Sequence, residues 1–179
     1  MLKCSEKGLV EIAGHEGICL SPYLDSVGVW TIGVGATKSE IPNLNSAHTA
    51  ITVPQAIDLF KKSIVKYENG VNKALKVSVT QEQFDALVSI CYNIGVGGLS
   101  GSTFIKMINN NSPMTKIVDA IMMWTKPKEI TARRRKEAKL YSTGQYSNNG
   151  KALVFPVNST HRPVYSKGLS VDIASLLRI

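Results

Sequence analysis

Residues 14–37 read GHEGICLSPYLDSVGVWTIGVGAT, and the interpretation of this stretch decides both the fold class and the chemistry. Three polar side chains, Glu16, Asp25 and Thr31, stand in it among glycines and apolar residues. Upstream, Leu9, Val10, Ile12 and Ala13 recur at helical spacing, so a helix over about Ser5 to His15 buries them and delivers Glu16 at its end. Gly17 then lets the chain turn. Asp25-Ser26-Val27-Gly28 has the composition of a turn in contact with water. From Val29 to Gly35 the pattern is that of a strand with two faces. Trp30, Ile32 and Val34 fall on one face. Thr31, Gly33 and Gly35 fall on the other, where missing side chains leave room for a bulky ligand to approach the backbone.

Two carboxylates in unlike surroundings suit the cleavage of a glycosidic bond. That reaction needs one group to protonate the leaving oxygen and a second to activate water or attack the sugar carbon. The buried helix end suits Glu16 to the acid role, and the watery turn suits Asp25 to the other. Thr31 projects toward the same side as Asp25.

The run Glu16, Asp25, Thr31, Ile32-Gly33-Val34-Gly35 and Thr37 resembles the catalytic motif of the phage-type lysozymes and endolysins, with matching spacing at all three polar positions. Later segments, CYNIGVGGLSGST and RRRKEAKLY, have counterparts in that family in the same order, so the resemblance covers roughly residues 8–146. It implies an α+β, mostly helical lysozyme-like fold. A small N-terminal β-hairpin lobe (about 14–51) and a larger helical lobe (about 77–146) would be joined by a long helix. It also implies hydrolysis of the β-1,4 bond between N-acetylmuramic acid and N-acetylglucosamine in peptidoglycan, leading to cell lysis and requiring no cofactor. By resemblance Glu16 is the acid, Asp25 works on the water side and Thr31 positions the water. An Arg near the start of the RRRKEAKLY helix braces the acid in the family, which makes Arg133 and Arg134 the candidates. Gly33, Gly35 and Asn93 are placed along the substrate cleft. Many relatives carry His after the last strand glycine, where this chain has Ala36, so any bracing through that ring is absent.

Length and composition set the bounds. A chain of 179 residues suits one catalytic domain, 1–146, and can bury a substantial core. No apolar run approaches the roughly 18 residues of a membrane span, and the start, Met1-Leu2-Lys3-Cys4-Ser5-Glu6, lacks the features of a secretory signal. We therefore expect synthesis in the host bacterial cytoplasm, a holin or other export route, and action at the cell wall in the periplasm. The net charge of +8 attracts polyanions without choosing among them. The expected partner is the peptidoglycan glycan strand, bound by a monomer, with neither nucleic acid nor stable membrane insertion. Cys4, Cys19 and Cys91 are too few and irregularly placed for a disulfide framework, which fits reduced thiols.

Further along, Lys38 to Ala50 is polar and irregular, with room for one short strand. Thr52 with Gln55 forms a capping box before apolar residues at helical spacing from Ile57 to Leu75, with Gly70 a point where that helix bends. Thr80 with Gln83 repeats the signal before an apolar helix that ends near Asn93 to Gly95. Short helices follow at Thr103–Asn109 and Pro113–Trp124, then a capped helix at Thr131–Tyr141 that stops near Gly144. Residues 147–179 form an extension packed on the catalytic domain, on its large lobe. It contains an Asn149-Gly150 turn, an apolar run from Ala152 to Val157 and a short helix within Ser170–Arg178; wall binding or self-association is the alternative role.

Other chemistries fare worse. Gly95-Val96-Gly97-Gly98 lacks the Lys-Ser/Thr ending of a phosphate-binding loop and follows a helix instead of a strand. His15-Glu16 begins like a zinc-protease motif, but Cys19 stands where the second His belongs, and His48 and His161 have no ligand spacing. No base marks Cys19 or Cys91 as a nucleophile. The basic run Arg133–Lys136 reads as a solvated face with Arg133 paired to Glu137, ahead of a nucleic-acid patch. A muramidase and a catalytically weak wall-binding protein on a lysozyme scaffold remain as the two functions to separate.

Overall fold

The computed structural model describes residues 1–178, which divide into two compact units. One unit comprises Met1–Glu11 and Val65–Ser147, the other Ile12–Ile64 together with the chain from Asn148 onward. Helix α1 (Glu6–Glu16) starts in the first unit and ends in the second. Helix α2 (Val53–Ala74) runs the opposite way. Among the described residues the architecture is a mostly helical α+β arrangement with two separate antiparallel hairpins, and no helix is long and apolar enough to cross a membrane.

The first unit is built on α3 (Gln81–Gly101), whose apolar residues Phe84, Leu87, Val88, Ile90 and Cys91 are buried. Its start is fixed by a reciprocal cap, the Thr80 hydroxyl accepting from the Gln83 amide and the Gln83 side chain accepting from the Thr80 amide. The expected helix end near Asn93–Gly95 is a single-residue break. Gly95 takes φ 79°, ψ 161°, a conformation open essentially to glycine alone, and the chain then resumes helix to Gly101. Helices α4 (Thr103–Asn109), α5 (Met114–Met122) and α6 (Thr131–Thr143) complete the unit. Gly144, at φ 72°, terminates α6 as expected. Thr131 does not cap it, because a 3-10 turn at Lys128–Ile130 feeds directly into the helix and leaves Thr131 already helical at φ −59°. Gly70 introduces no break in α2; it is buried, and an added Cβ would meet the Val96 side chain at 2.8 Å.

The unit's start is tied down through Asp85, which is fully buried and accepts from the Ser5 amide and hydroxyl, the Gln81 side chain and the Tyr146 hydroxyl. A second buried polar group lies on α6. Glu137 accepts from Arg134, from Arg133 at 2.9 Å and from the Ser89 hydroxyl at 2.6 Å. Arg134 also donates to the Trp124 carbonyl and to the Asn93 side-chain oxygen. The basic run is thus divided: Arg133 pairs as the spacing implied, Arg134 is fully buried, and Arg135 and Lys136 are exposed.

In the second unit, β1 (Cys19–Leu24) pairs antiparallel with β2 (Trp30–Gly33), with Tyr23 opposite Thr31 and Leu24 opposite Trp30. The strand expected to run to Gly35 stops at Gly33. Gly33 (φ 65°) and Gly35 (φ 87°) both turn left-handed, and the chain folds back so that Ile32 and Ala36 exchange two main-chain hydrogen bonds of 2.9 Å. This closure is made by backbone and does not depend on the side chain at position 36. Ile32, Ala36 and Leu44 form a small core, covered by Trp30, Ile41, Ile51 and Leu59. Residues 38–50 contain turns and no strand. The Thr52–Gln55 box is present, starting α2.

The C-terminal segment belongs to this second unit, with the hairpin residues instead of with the helical lobe. Ile18 donates to the Leu153 carbonyl and accepts from the Phe155 amide, both at 2.8 Å. The second hairpin joins β3 (Lys151–Val154) to β4 (Leu169–Asp172). The helix expected within Ser170–Arg178 is therefore strand up to Asp172. Asp172 then accepts from the Ala174 amide, which starts α7 (Ala174–Leu177), one turn long.

Candidate active site

Glu16 is the last residue of α1 and is half-buried. The packing that puts it there is the buried row Leu9, Ile12 and Ala13 behind it. Gly17, at φ 72°, turns the chain directly into β1. Asp25 closes the β1–β2 hairpin. Its Oδ1 accepts from the amides of Val27 (3.0 Å) and Val29 (2.8 Å), and its own amide donates to the Val29 carbonyl at 3.0 Å. Gly28, at φ 83°, makes that tight turn possible. The other carboxylate oxygen, Oδ2, receives no hydrogen bond from the described residues.

Thr31 is 4% exposed, and its hydroxyl donates to the Val29 carbonyl at 3.0 Å. Both polar side chains are thus anchored on one residue, Asp25 on the Val29 amide and Thr31 on the Val29 carbonyl. Because Thr31 spends its only proton there, its remaining capacity is as an acceptor.

Tyr23 was not singled out from sequence. Burial pushes its phenol well above the ordinary tyrosine value, and the neighbouring Cys19, Glu16, Tyr165 and Asp25 push it further in the same direction. One neutral phenol therefore lies within electrostatic reach of both acids. The signal was available in principle, since a residue two before Asp25 on a hairpin faces the partner two after the turn's end, here Thr31.

The remaining candidates divide. Gly33 is buried, and a Cβ on it would stand at ordinary contact distance from Ala56 (3.4 Å) and Ile51 (3.6 Å), so its left-handed backbone at φ 65°, and not crowding by α2, is what calls for glycine there. Gly35 is half-buried in the same turn. Asn93 is half-buried and held by Arg134, as described above. Burial pushes the Arg134 guanidinium down from its ordinary value, and the Glu137 carboxylate opposes that shift.

The phage lysozyme family model matches residues 13–138. The chain is 32% identical over 145 residues to the endolysin of Salmonella phage P22, an alignment covering 79% of this chain and 99% of that one. Among solved structures, the endolysin from Escherichia coli O157:H7 phage FAHEc1 superposes with a TM-score of 0.74 at 35% identity, covering 82% of this chain and 98% of that one. The muramidase domain of SpmX from Asticaccaulis excentricus gives 0.72 at 28% identity, covering 80% and 99%. The fold and these likenesses define the class, a lysozyme-type glycosidase. The chain belongs to the phage lysozyme family.

Proposed function

We propose that the protein is an endolysin that hydrolyses the β-1,4 bond between N-acetylmuramic acid and N-acetylglucosamine in peptidoglycan, with Glu16, Asp25 and Thr31 as its catalytic residues. The observation that carries this reading is the joint anchoring of Asp25 and Thr31 on Val29, which leaves Asp25 Oδ2 and the Thr31 lone pairs as two acceptors in one hairpin. A water that donates one proton to each has its own lone pair left to attack the sugar carbon. Glu16 gives its proton to the leaving glycosidic oxygen as the bond from the anomeric carbon breaks. The water oxygen bonds to that carbon, and its proton passes to Asp25.

Arg133 or Arg134 bracing Glu16, and Gly35 and Asn93 lining the cleft, rest on the family resemblance alone. The net charge of +8 suits an enzyme that works on an anionic wall. Reaching the wall from the cytoplasm through a holin or another export route, as a monomer, belongs to the same reading.

The test is digestion of purified peptidoglycan followed by identification of the new reducing end. N-acetylmuramic acid supports the assignment. N-acetylglucosamine would make the enzyme a glucosaminidase, and binding without loss of turbidity would favour the wall-binding alternative.

A further inference from the structure

We infer that Arg162 is a positioning residue for Asp25, and that the C-terminal segment is thereby part of the catalytic apparatus; the inference rests on the reading of Asp25 as the group that handles the attacking water. Arg162 lies outside residues 13–138, the part of the chain that matches the family. Its Nη1 donates to two main-chain oxygens at the end of the first hairpin, Asp25 at 2.7 Å and Leu24 at 3.0 Å.

Two further contacts come from the adjacent residue. The Leu24 amide donates to the His161 carbonyl at 2.8 Å, and the His161 ring meets Trp30, the cross-strand partner of Leu24, edge-on at 5.0 Å. The loop that delivers them is organised by Asn158. Its side-chain oxygen accepts from the Thr160 amide (3.0 Å), the Thr160 hydroxyl (2.8 Å) and the Arg162 amide (2.9 Å). The main chain closes the same loop, Asn158 donating to Arg162 and His161 to Asn158 at 3.0 Å each.

These contacts do something the hairpin cannot do alone. The Val27 and Val29 amides fix the Asp25 carboxylate relative to its own turn, yet residues 26–29 are exposed and Gly28 has nothing within 4 Å of where a Cβ would stand. Arg162 and His161 fix the turn relative to the rest of the unit. A water-activating carboxylate needs both, because misplacement by an ångström can cost on the order of a hundredfold in rate. Arg162 is itself exposed, so its bonds to carbonyls contribute little to stability. Its effect should appear in turnover.

The test measures steady-state kinetics on soluble peptidoglycan glycan strands, with thermal midpoints, for the full chain and for R162A, R162Q, R162K, D25N and K61A. Lys61 donates to the Arg178 carbonyl and so ties down the same segment away from the hairpin. For R162A and R162Q we expect kcat to fall by about tenfold to a hundredfold with KM within about twofold, R162K to recover part of the loss, and K61A to keep full kcat. If R162A does not fold, R162Q is read in its place. Full kcat in R162A and R162Q beside an inactive D25N overturns the positioning role alone. Full kcat in D25N overturns the role of Asp25 and this inference with it. A loss in K61A equal to that in R162A would make the effect one of general tail anchoring and overturn it as well.

Discussion

At the scale of single residues, the three side chains offered as catalytic differ in how they are held, and that difference sets what their removal should do. Glu16 ends a helix held by the buried row Leu9, Ile12 and Ala13, and glutamine keeps the shape of its side chain without the acidic proton, so Glu16→Gln should keep the fold and lower wall-cleaving activity by about a hundredfold or more. Glu137 is the opposite case: it is fully buried among Arg133, Arg134 and Ser89, and Glu137→Ala would strand the Arg134 guanidinium in the interior. We expect that change to cost about 3–5 kcal/mol in urea unfolding. The buried thiols give a pH dependence. Burial pushes Cys19 from 9.0 to about 11 and Cys91 to about 12, so the unfolded chain ionises these groups at lower pH than the folded one. Their contribution is complete below pH 9 and is lost as pH climbs through 11 to 12. Unfolding midpoints should therefore drop more steeply over that window in the native sequence than in a Cys19→Ala, Cys91→Ala variant. Glu16, Asp25 and Thr31 could be offered from sequence because they fall in one short stretch, at the end of α1 and in the hairpin that follows it. Tyr23 could be found only through the hairpin register that sets it opposite Thr31, and Arg162 not at all, since its main-chain partners at Leu24 and Asp25 are distant in sequence and leave no periodic pattern.

At the scale of elements, the local chemistry written into the chain was reliable where caps are reciprocal. Thr52 with Gln55 and Thr80 with Gln83 start helices as their side chains dictate. Glycines were harder, because the same residue type ends a strand at Gly33, interrupts a helix for one residue at Gly95 and merely makes room at Gly70. Only the surroundings decide which. The contrast between Gly95 and Gly97 makes this measurable, since neither would place a Cβ within 4 Å of another atom. Gly95→Ala meets a backbone conformation unsuited to alanine and should destabilise by about 1–3 kcal/mol. Gly97→Ala sits in ordinary helix and should stabilise by about 0.4–1 kcal/mol. Thermal or urea unfolding of both variants reports the difference. In the tail, β4 was mistaken for helix because Ile173, Leu176 and Leu177 have helical spacing. The pairing of Ala152 with Val171 claims the preceding residues for a sheet.

At the scale of the whole molecule, a mostly helical α+β fold was legible through the family resemblance carried by residues 8–146, and the assignment of the tail, which that resemblance does not reach, was not. Residues 148–178 join the hairpin unit through main-chain bonds at Ile18 and Leu24, contacts that leave no trace in amphipathic pattern. The net charge of +8 acts over the molecule as a whole, so activity on intact walls should fall as ionic strength rises and the Debye length shrinks from about 10 Å at 0.1 M salt. A short neutral glycan should be cleaved with far weaker salt dependence, and parallel decline on both substrates would remove wall attraction as the cause. The central claim is that Asp25 and Thr31 hold a water opposite Glu16, which calls for carboxyl groups roughly 6.5–9.5 Å apart and a single displacement at the sugar carbon. Following the anomeric configuration of the first-formed product by NMR tests it most directly: an α product from the β-linked glycan is expected, and a β product would contradict the water-holding role of Asp25 and Thr31.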